Sequence, residues 1–251
     1  MNDELEYISI KPGKALSDFV ENIWLLHNKA SYKREIVIVP DGRVDIFFYH
    51  SANQNIRAVV FGLESEPQQT QLNARTSIFA VSLKPLGAEY ILKQSIAGIL
   101  NDVKLLPQNF WEITKTDLQD FEHFHKKINK KLSELMPSKT DERKLQLFNL
   151  IYSSNCSLTV KELSERVFWS SRQINRYFNK QYGITLKAYC NILRFRATFL
   201  EIKEGRLFPG EAFADQAHFI KESRKMAGVS PKVIRKDKND RFIQFSKFSQ
   251  K

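Results

Sequence analysis

Two cysteines, Cys156 and Cys190, are all that the chain carries among its 251 residues. That is too few for a disulfide framework, and a reducing cytoplasm is the expected compartment. No apolar run approaches the roughly 20 residues of a membrane-spanning helix. The opening MNDELEYISI is acidic and lacks the apolar stretch of a signal peptide. A glycine-rich phosphate loop is also missing. The five histidines are scattered. His123 and His125 are the one close pair, and residues two apart on a helix do not face each other. His50 has no histidine or carboxylate around it at metal-ligand spacing. Asp41 and Asp45 read as turn and strand residues rather than an acid–base pair. The expectation is no catalytic constellation, no metal site and no cofactor.

Charge is plentiful but uneven. Residues 1–136 hold 16 Lys and Arg against 17 Asp and Glu, whereas residues 137–251 hold 23 against 11. A near-neutral half is joined to a half of net charge +12. Such a division suggests a module that meets nucleic acid beside one that does not. A basic surface that serves solubility alone is the plainer alternative.

The first half patterns as strands. Glu35–Val39 is one, Pro40-Asp41-Gly42 supplies turn chemistry, and Val44–Tyr49 returns, which predicts a hairpin. Arg57–Phe61 and Thr76–Leu83 are two more. Phe19–Leu26 fits a strand or a short helix equally well. Strands at this spacing suggest a barrel or sandwich. Helices follow. Ala88–Lys93 is short. Leu118, Phe121, His125, Ile128, Leu132 and Leu135 recur every three or four residues, the stripe of an amphipathic helix. That stripe fits a seam with its own domain or a dimer contact. Met136–Thr140 reads as the linker, so residues 1–136 and 137–251 form the two expected domains.

The second half centres on Ser157–Gly183. Thr159-x-x-Glu162 and Ser170-x-x-Gln173 are capping boxes that open two successive helices. In the second helix Ile174, Tyr177 and Phe178 share one face; Arg172, Gln173, Asn175, Arg176 and Asn179 lie elsewhere around it. Gly183 stops it. Arginine and asparagine on an outer face suit base edges and phosphates in a major groove. The layout is that of a helix-turn-helix, although an ordinary helical hairpin with a solvated face shares the pattern. Thr185 then caps an expected single helix over Leu186–Lys203, a strut of about 27 Å. Asp215 caps another helix with Phe219 and Met226 inward and His218, Lys221 and Lys225 outward, closed by Gly228. Two such helices on a rigid strut would enter successive major-groove segments about 34 Å apart.

Leu158–Pro231 resembles the DNA-binding domain of AraC/XylS-type transcription regulators. The motifs that carry the resemblance are LTVKELSERV, SSRQINRYFNKQYGITLKAY, ILRFRATFLEIKEG and FADQAHFIKESRKMAGVSP. IVPDGRVDIFF and VSLKPLGAEYIL resemble the sensor domain of a subgroup of these regulators. The resemblance implies an α+β chain: an N-terminal cupin-like β-barrel or sandwich with helices, then an all-α domain of two helix-turn-helix subdomains joined by a long helix. It implies DNA contacts from Arg172, Gln173, Asn175, Arg176 and Asn179 in the first recognition helix. In the second it implies Gln216, Ala217, His218 and Lys221, where Ala217 offers only a methyl group. It implies double-stranded DNA as partner, a small-molecule effector, a contact with RNA polymerase and a homodimer, with no membrane. Three departures stand out. Phe168 occupies the first turn, where glycine or a small polar residue is usual. The Leu207–Glu211 segment is about a turn short. Ser223 replaces an aromatic anchor, so the second unit is expected to read sequence less than the first. A rival of another class is a ligand-binding or enzymatic barrel with a C-terminal protein-interaction module.

Overall fold

The computed structural model describes residues 4–50, 56–207, 213, 215–237 and 241–246. Eight strands come first: β1 Leu5–Ile10, β2 Val20–Asn28, β3 Arg34–Ile38, β4 Val44–His50, β5 Arg57–Phe61, β6 Gln68–Leu72, β7 Ser77–Leu83 and β8 Val103–Leu105. Six of them form one antiparallel sheet in the order β1-β2-β7-β4-β5-β8, and β3 pairs with β6 in a separate ribbon. The terminal strands β1 and β8 do not pair with each other, so of the barrel or sandwich expected the sheet is open rather than closed into a barrel.

Both faces of the sheet are covered. Trp24, Phe47, Ile78 and Ala80 point one way and pack with Ile36 and Leu72 of the ribbon. Ile23, Ile46, Phe48, Phe79 and Val81 point the other way, into a second core. A strand covered on both faces reads as an unbroken apolar run. The predicted hairpin of Glu35–Val39 with Val44–Tyr49 is corrected accordingly. Pro40-Asp41-Gly42 does turn the chain, but it carries it from the ribbon to the sheet, where β4 pairs with β5 and β7.

The described residues hold ten α-helices: α1 Pro85–Leu92, α2 Phe121–Leu135, α3 Glu142–Ser153, α4 Val160–Val167, α5 Ser171–Tyr182, α6 Leu186–Ala197, α7 Phe199–Glu204, α8 Gln216–Ala227, α9 Pro231–Lys236 and α10 Ile243–Ser246. The α2 stripe is a seam with its own sheet. Phe124, Ile128 and Leu132 are fully buried, with the Phe124 ring 5.7 Å from Phe48 and 5.2 Å from Phe79. Each such side chain contributes about 1.5–3 kcal/mol by burial. The stripe is therefore not free to make the dimer contact considered for it.

The expected strut is interrupted. The chain leaves helical pattern at Thr198, whose hydroxyl bonds back to the Phe195 carbonyl at 2.7 Å, and α7 restarts from there. A threonine that back-bonds in this way bends or breaks a helix without glycine or proline. The segment named as a turn short, Leu207–Glu211, lies mostly outside the described residues.

One apolar core runs through both halves of the chain. Gly42 is one of the tight crossings between them. Its φ is +77°, and a Cβ there would come within 2.9 Å of Leu193 and 3.1 Å of Tyr189 on α6. The segment after α9 also returns to the first half. The Val37 amide donates to the Arg241 carbonyl at 2.7 Å, and the Val39 amide to Gln244 Oε1 at 2.9 Å. Phe242 and Ile243 are buried there.

Candidate nucleic-acid interface and the cavity beside it

The first unit is built from its caps. Thr159 and Glu162 close a full capping box on α4, and Ser170 and Gln173 close another on α5. Between them Phe168 ends α4 at φ +55° with its ring 86% exposed. A bulky residue in left-handed backbone stores roughly 1–2 kcal/mol, which the flanking caps hold in place. Ile174, Phe178 and Tyr182 anchor α5 inward, with the Phe178 ring 5.6 Å from Phe148 of α3. Arg172, Gln173, Arg176 and Asn179 stand exposed on the outside. Asn175 is half-buried and donates its amide to the Ser171 carbonyl at 3.1 Å, so it is less free than its neighbours. The Gln173 carbonyl oxygen is taken by the Ser170 amide at 2.8 Å, which leaves its NH2 outward.

A basic cleft flanks this face. Arg143, Lys144, Trp169, Gln173, Arg176, Tyr177 and Lys180 line it. The Arg143 guanidinium lies 5.2 Å over the Trp169 ring. Of these, Lys180 was legible by spacing, four residues beyond Arg176 on the same helix face. Arg143 comes from α3, and no spacing rule links it to α5.

The second unit repeats the plan more simply. Asp215 accepts from the His218 amide at 2.7 Å and caps α8. Phe219, Met226 and Ala227 are buried, while Gln216, Ala217, His218, Lys221 and Lys225 are exposed. The His218 ring meets Phe213 edge-on at 5.5 Å. Ser223 is fully buried, and its hydroxyl donates to the Val229 carbonyl at 2.9 Å. The missing aromatic is thus replaced by a polar tie across the helix end. All nine residues expected at the DNA face lie on two helices, eight exposed and Asn175 half-buried.

Helix α5 is tied to the first half at both its middle and its end. Tyr177 donates to Glu89 of α1 at 2.5 Å, and Lys144 pairs with the same carboxylate. Burial, with Glu89 nearby, pushes the Tyr177 and Tyr182 hydroxyls well above the usual tyrosine range. Both therefore stay neutral donors. At the C-terminus the Ile96 amide donates to the Gln181 carbonyl at 3.0 Å, and Ser95 to the Lys180 carbonyl at 2.8 Å. Gly183, at φ +76°, leaves room there for the Ala97 carbonyl.

A cavity of about 630 Å³ opens between the halves. Tyr7, Ser9, Lys11, Glu21, Asn22, Arg43 and Lys84 come from the sheet side. Ile151, Tyr152, Cys156, Leu193, Arg196 and Leu200 come from the helical half. Leu193, Ala197 and Leu200 of the interrupted strut line this wall. Glu21 pairs with Arg43 at 3.1 Å and also with Arg196. Burial alone would raise the Glu21 pKa, but Arg43, Arg196 and Lys84 outweigh it and hold the carboxyl at about 2. Lys84 sits 5.2 Å over the Tyr152 ring. Arg43 Nε and Asn22 Oδ1 are buried with no protein partner among the described residues. The wall is thus cationic on one side and apolar on the other. Among the described residues no group of three His, Cys, Asp or Glu side chains is placed to hold a metal ion, and no helix is long and apolar enough to cross a membrane.

A family described as a domain of unknown function, DUF6597, matches residues 8–105. No curated protein matches the chain. The chain is similar to solved structures of ToxT from Vibrio cholerae. An apo alanine variant aligns at 12% identity and a TM-score of 0.44, covering 90% of this chain and 98% of that one. ToxT from strain O395 aligns at 9% identity and a TM-score of 0.43, covering 93% and 98%. Wild-type ToxT bound to an unsaturated fatty acid aligns at 12% identity and a TM-score of 0.42, covering 92% and 94%.

Proposed function

We propose that the chain is a sequence-specific DNA-binding transcription regulator of AraC/XylS type, controlled by a small organic anion held between its halves. One observation carries the reading. Two capped helices, α5 and α8, each seat an apolar face in the core and present a basic, exposed face outward. Arginine on such a face pairs with guanine edges, and lysine and histidine with phosphates. One chain carries both reading helices, so recognition of two successive groove segments requires only one copy. Residues 1–136 act as the sensor and 137–251 as the DNA-binding domain in a cytoplasmic protein. Transcription control implies a further contact with RNA polymerase on faces turned away from the duplex.

The cavity lining supports an anionic effector with an apolar body. Lys11, Arg43, Lys84 and Arg196 outnumber the single carboxylate of Glu21 on the wall, while Ile151, Leu193 and Leu200 offer apolar surface. Lys84 is the N-cap of α1, and Glu89, five residues on, holds α5. A ligand that pulls on Lys84 therefore acts on the recognition helix through one short helix.

The test is a gel shift with the DNA upstream of the chain's own reading frame, in excess competitor DNA. A discrete retarded band that resists the competitor is expected. Binding that random DNA abolishes equally would overturn the reading. Mass spectrometry of small molecules that co-purify with the protein identifies the effector.

A further inference from the structure

Helices α5 and α8 end against the same part of the first half. Gly183 closes α5 and Gly228 closes α8. A Cβ at Gly183 would stand 2.9 Å from the Ala97 carbonyl oxygen and 3.3 Å from Leu100 Cβ. A Cβ at Gly228 would stand 3.8 Å from Pro67 Cγ, in ordinary contact. Residues 62–67 and 95–101 therefore abut both helix ends, and they are fastened to each other. The Ser65 amide donates to Asn101 Oδ1 at 2.6 Å, and the Asn101 side-chain amide donates to Ser65 Oγ at 2.9 Å. The Asn101 backbone amide donates to the Leu63 carbonyl at 2.9 Å. Gly62 lies so close to Ile99 that a Cβ would meet the Ile99 carbonyl oxygen at 1.9 Å. Ser65 also shares a cleft of about 320 Å³ with Asn179 of α5, Ile192 of α6, and Lys225 and Met226 of α8.

The covalent route between the two units is less firm. It runs through α6 and α7, and the chain leaves the helical pattern at Thr198 between them. Helix α6 touches α8. It stops after 12 residues, however, a span of about 18 Å against the roughly 34 Å between successive groove segments.

We propose that residues 62–67 and 95–101 form a spacer that holds α8 at a fixed distance from α5, with Ser65, Pro67 and Asn101 as its positioning residues. The role on DNA rests on the reading of α5 and α8 given above; the spacing itself does not. The spacer acts through preorganisation. Two contacts carried on one rigid body reinforce each other, and that gain is lost when the geometry between them slackens. One base pair advances the duplex by about 3.4 Å, so slack of that size already costs α8 its register. The first half thus decides where the second helix lands.

The experiment compares three full-length chains: wild type, Asn101→Gly and Pro67→Gly. Glycine suits position 101, where φ is +55°, and deletes the side chain that holds Ser65. In each chain Lys180→Cys and Lys221→Cys, on exposed faces of α5 and α8, carry spin labels. Pulsed electron resonance without DNA then reads the distance between the helices. The chain lacking those two substitutions supplies the background from the native cysteines. One narrow distance is expected with the wild-type spacer and a broad distribution in both variants. Ser65→Ala, which removes only the hydroxyl, takes the place of a glycine variant that fails to fold. Hydroxyl-radical footprinting of the unlabelled chains on the preferred DNA is the second arm. Wild type should protect two backbone patches a helical turn apart. In the variants the α5 patch should stay sharp, the α8 patch should blur, and affinity should fall about tenfold. A broad wild-type distance, or variants as narrow as wild type, overturns the spacer. Broad variants whose α8 patch stays sharp overturn its role on DNA. A narrow wild-type distance and broad variants, in a chain that binds no DNA specifically, uphold the spacer and overturn the regulator reading instead.

Discussion

Replacing Glu21 by glutamine deletes one negative charge and little else, since the two side chains share a shape. In the folded chain the Glu21 carboxylate bridges Arg43 of the sheet half and Arg196 of α6, and its side chain is 22% exposed. Its pKa is held at about 2 against an ordinary 4.5. A depressed folded pKa contributes stability that is fully present above the unfolded value and is lost as pH falls through the folded one. At about 1.4 kcal/mol per unit, the difference comes to about 3 kcal/mol near neutral pH. By the same relation it shrinks to about 1 kcal/mol near pH 3. The amide mimics the protonated acid, so the variant should be less stable than wild type at pH 7 and approach it as acid is added. Urea unfolding of both proteins at pH 7 and pH 3, by circular dichroism, reads the gap directly. A gap of the same size at both pH values would refute the reasoning, because it would then come from packing rather than charge. So would the absence of any gap at pH 7.

Two further outcomes follow from the geometry. Arg176→Ala should cost about 1–3 kcal/mol on the preferred site and relax choice at one base, whereas His218→Ala with Lys221→Ala should weaken all sequences alike and flatten the salt slope by roughly one unit. Gel shifts across a salt series separate the two, and a change of base preference in the second pair would show that α8 reads sequence too. Ile128→Lys places a charge in a fully buried site against the sheet, so circular dichroism should report loss of the fold rather than a folded monomer.

Much of the helical half was legible because its signals are local. Thr159, Glu162, Ser170, Gln173, Asp215, Gly183 and Gly228 mark helix ends within three or four residues of themselves, and the structure puts each end there. The sheet half was less so. Its central strands are apolar on both faces, which erases the alternation that assigns a partner. The ribbon strand β6, Gln68–Leu72, is mostly polar and half exposed, so it resembles a loop. The break at Thr198 left no mark, since a threonine on a helix face looks the same whether or not it back-bonds. The cavity was illegible for a plainer reason: its charged side comes mostly from the first half of the chain and its apolar side from helices of the second.

The return of Arg241–Gln244 to β3 has a consequence for the order in which the protein is made. Val39 and Gln244 are 205 positions apart. Until a ribosome has released that late segment, the Val37 and Val39 amides lie on an open strand edge, and Phe242 and Ile243 are missing from the cores that receive them. Such an edge is a template for pairing with other chains. The sheet half, although synthesised first, completes its fold last, and every nascent copy passes through a period in which chaperone capture and aggregation compete for the same unfilled edge.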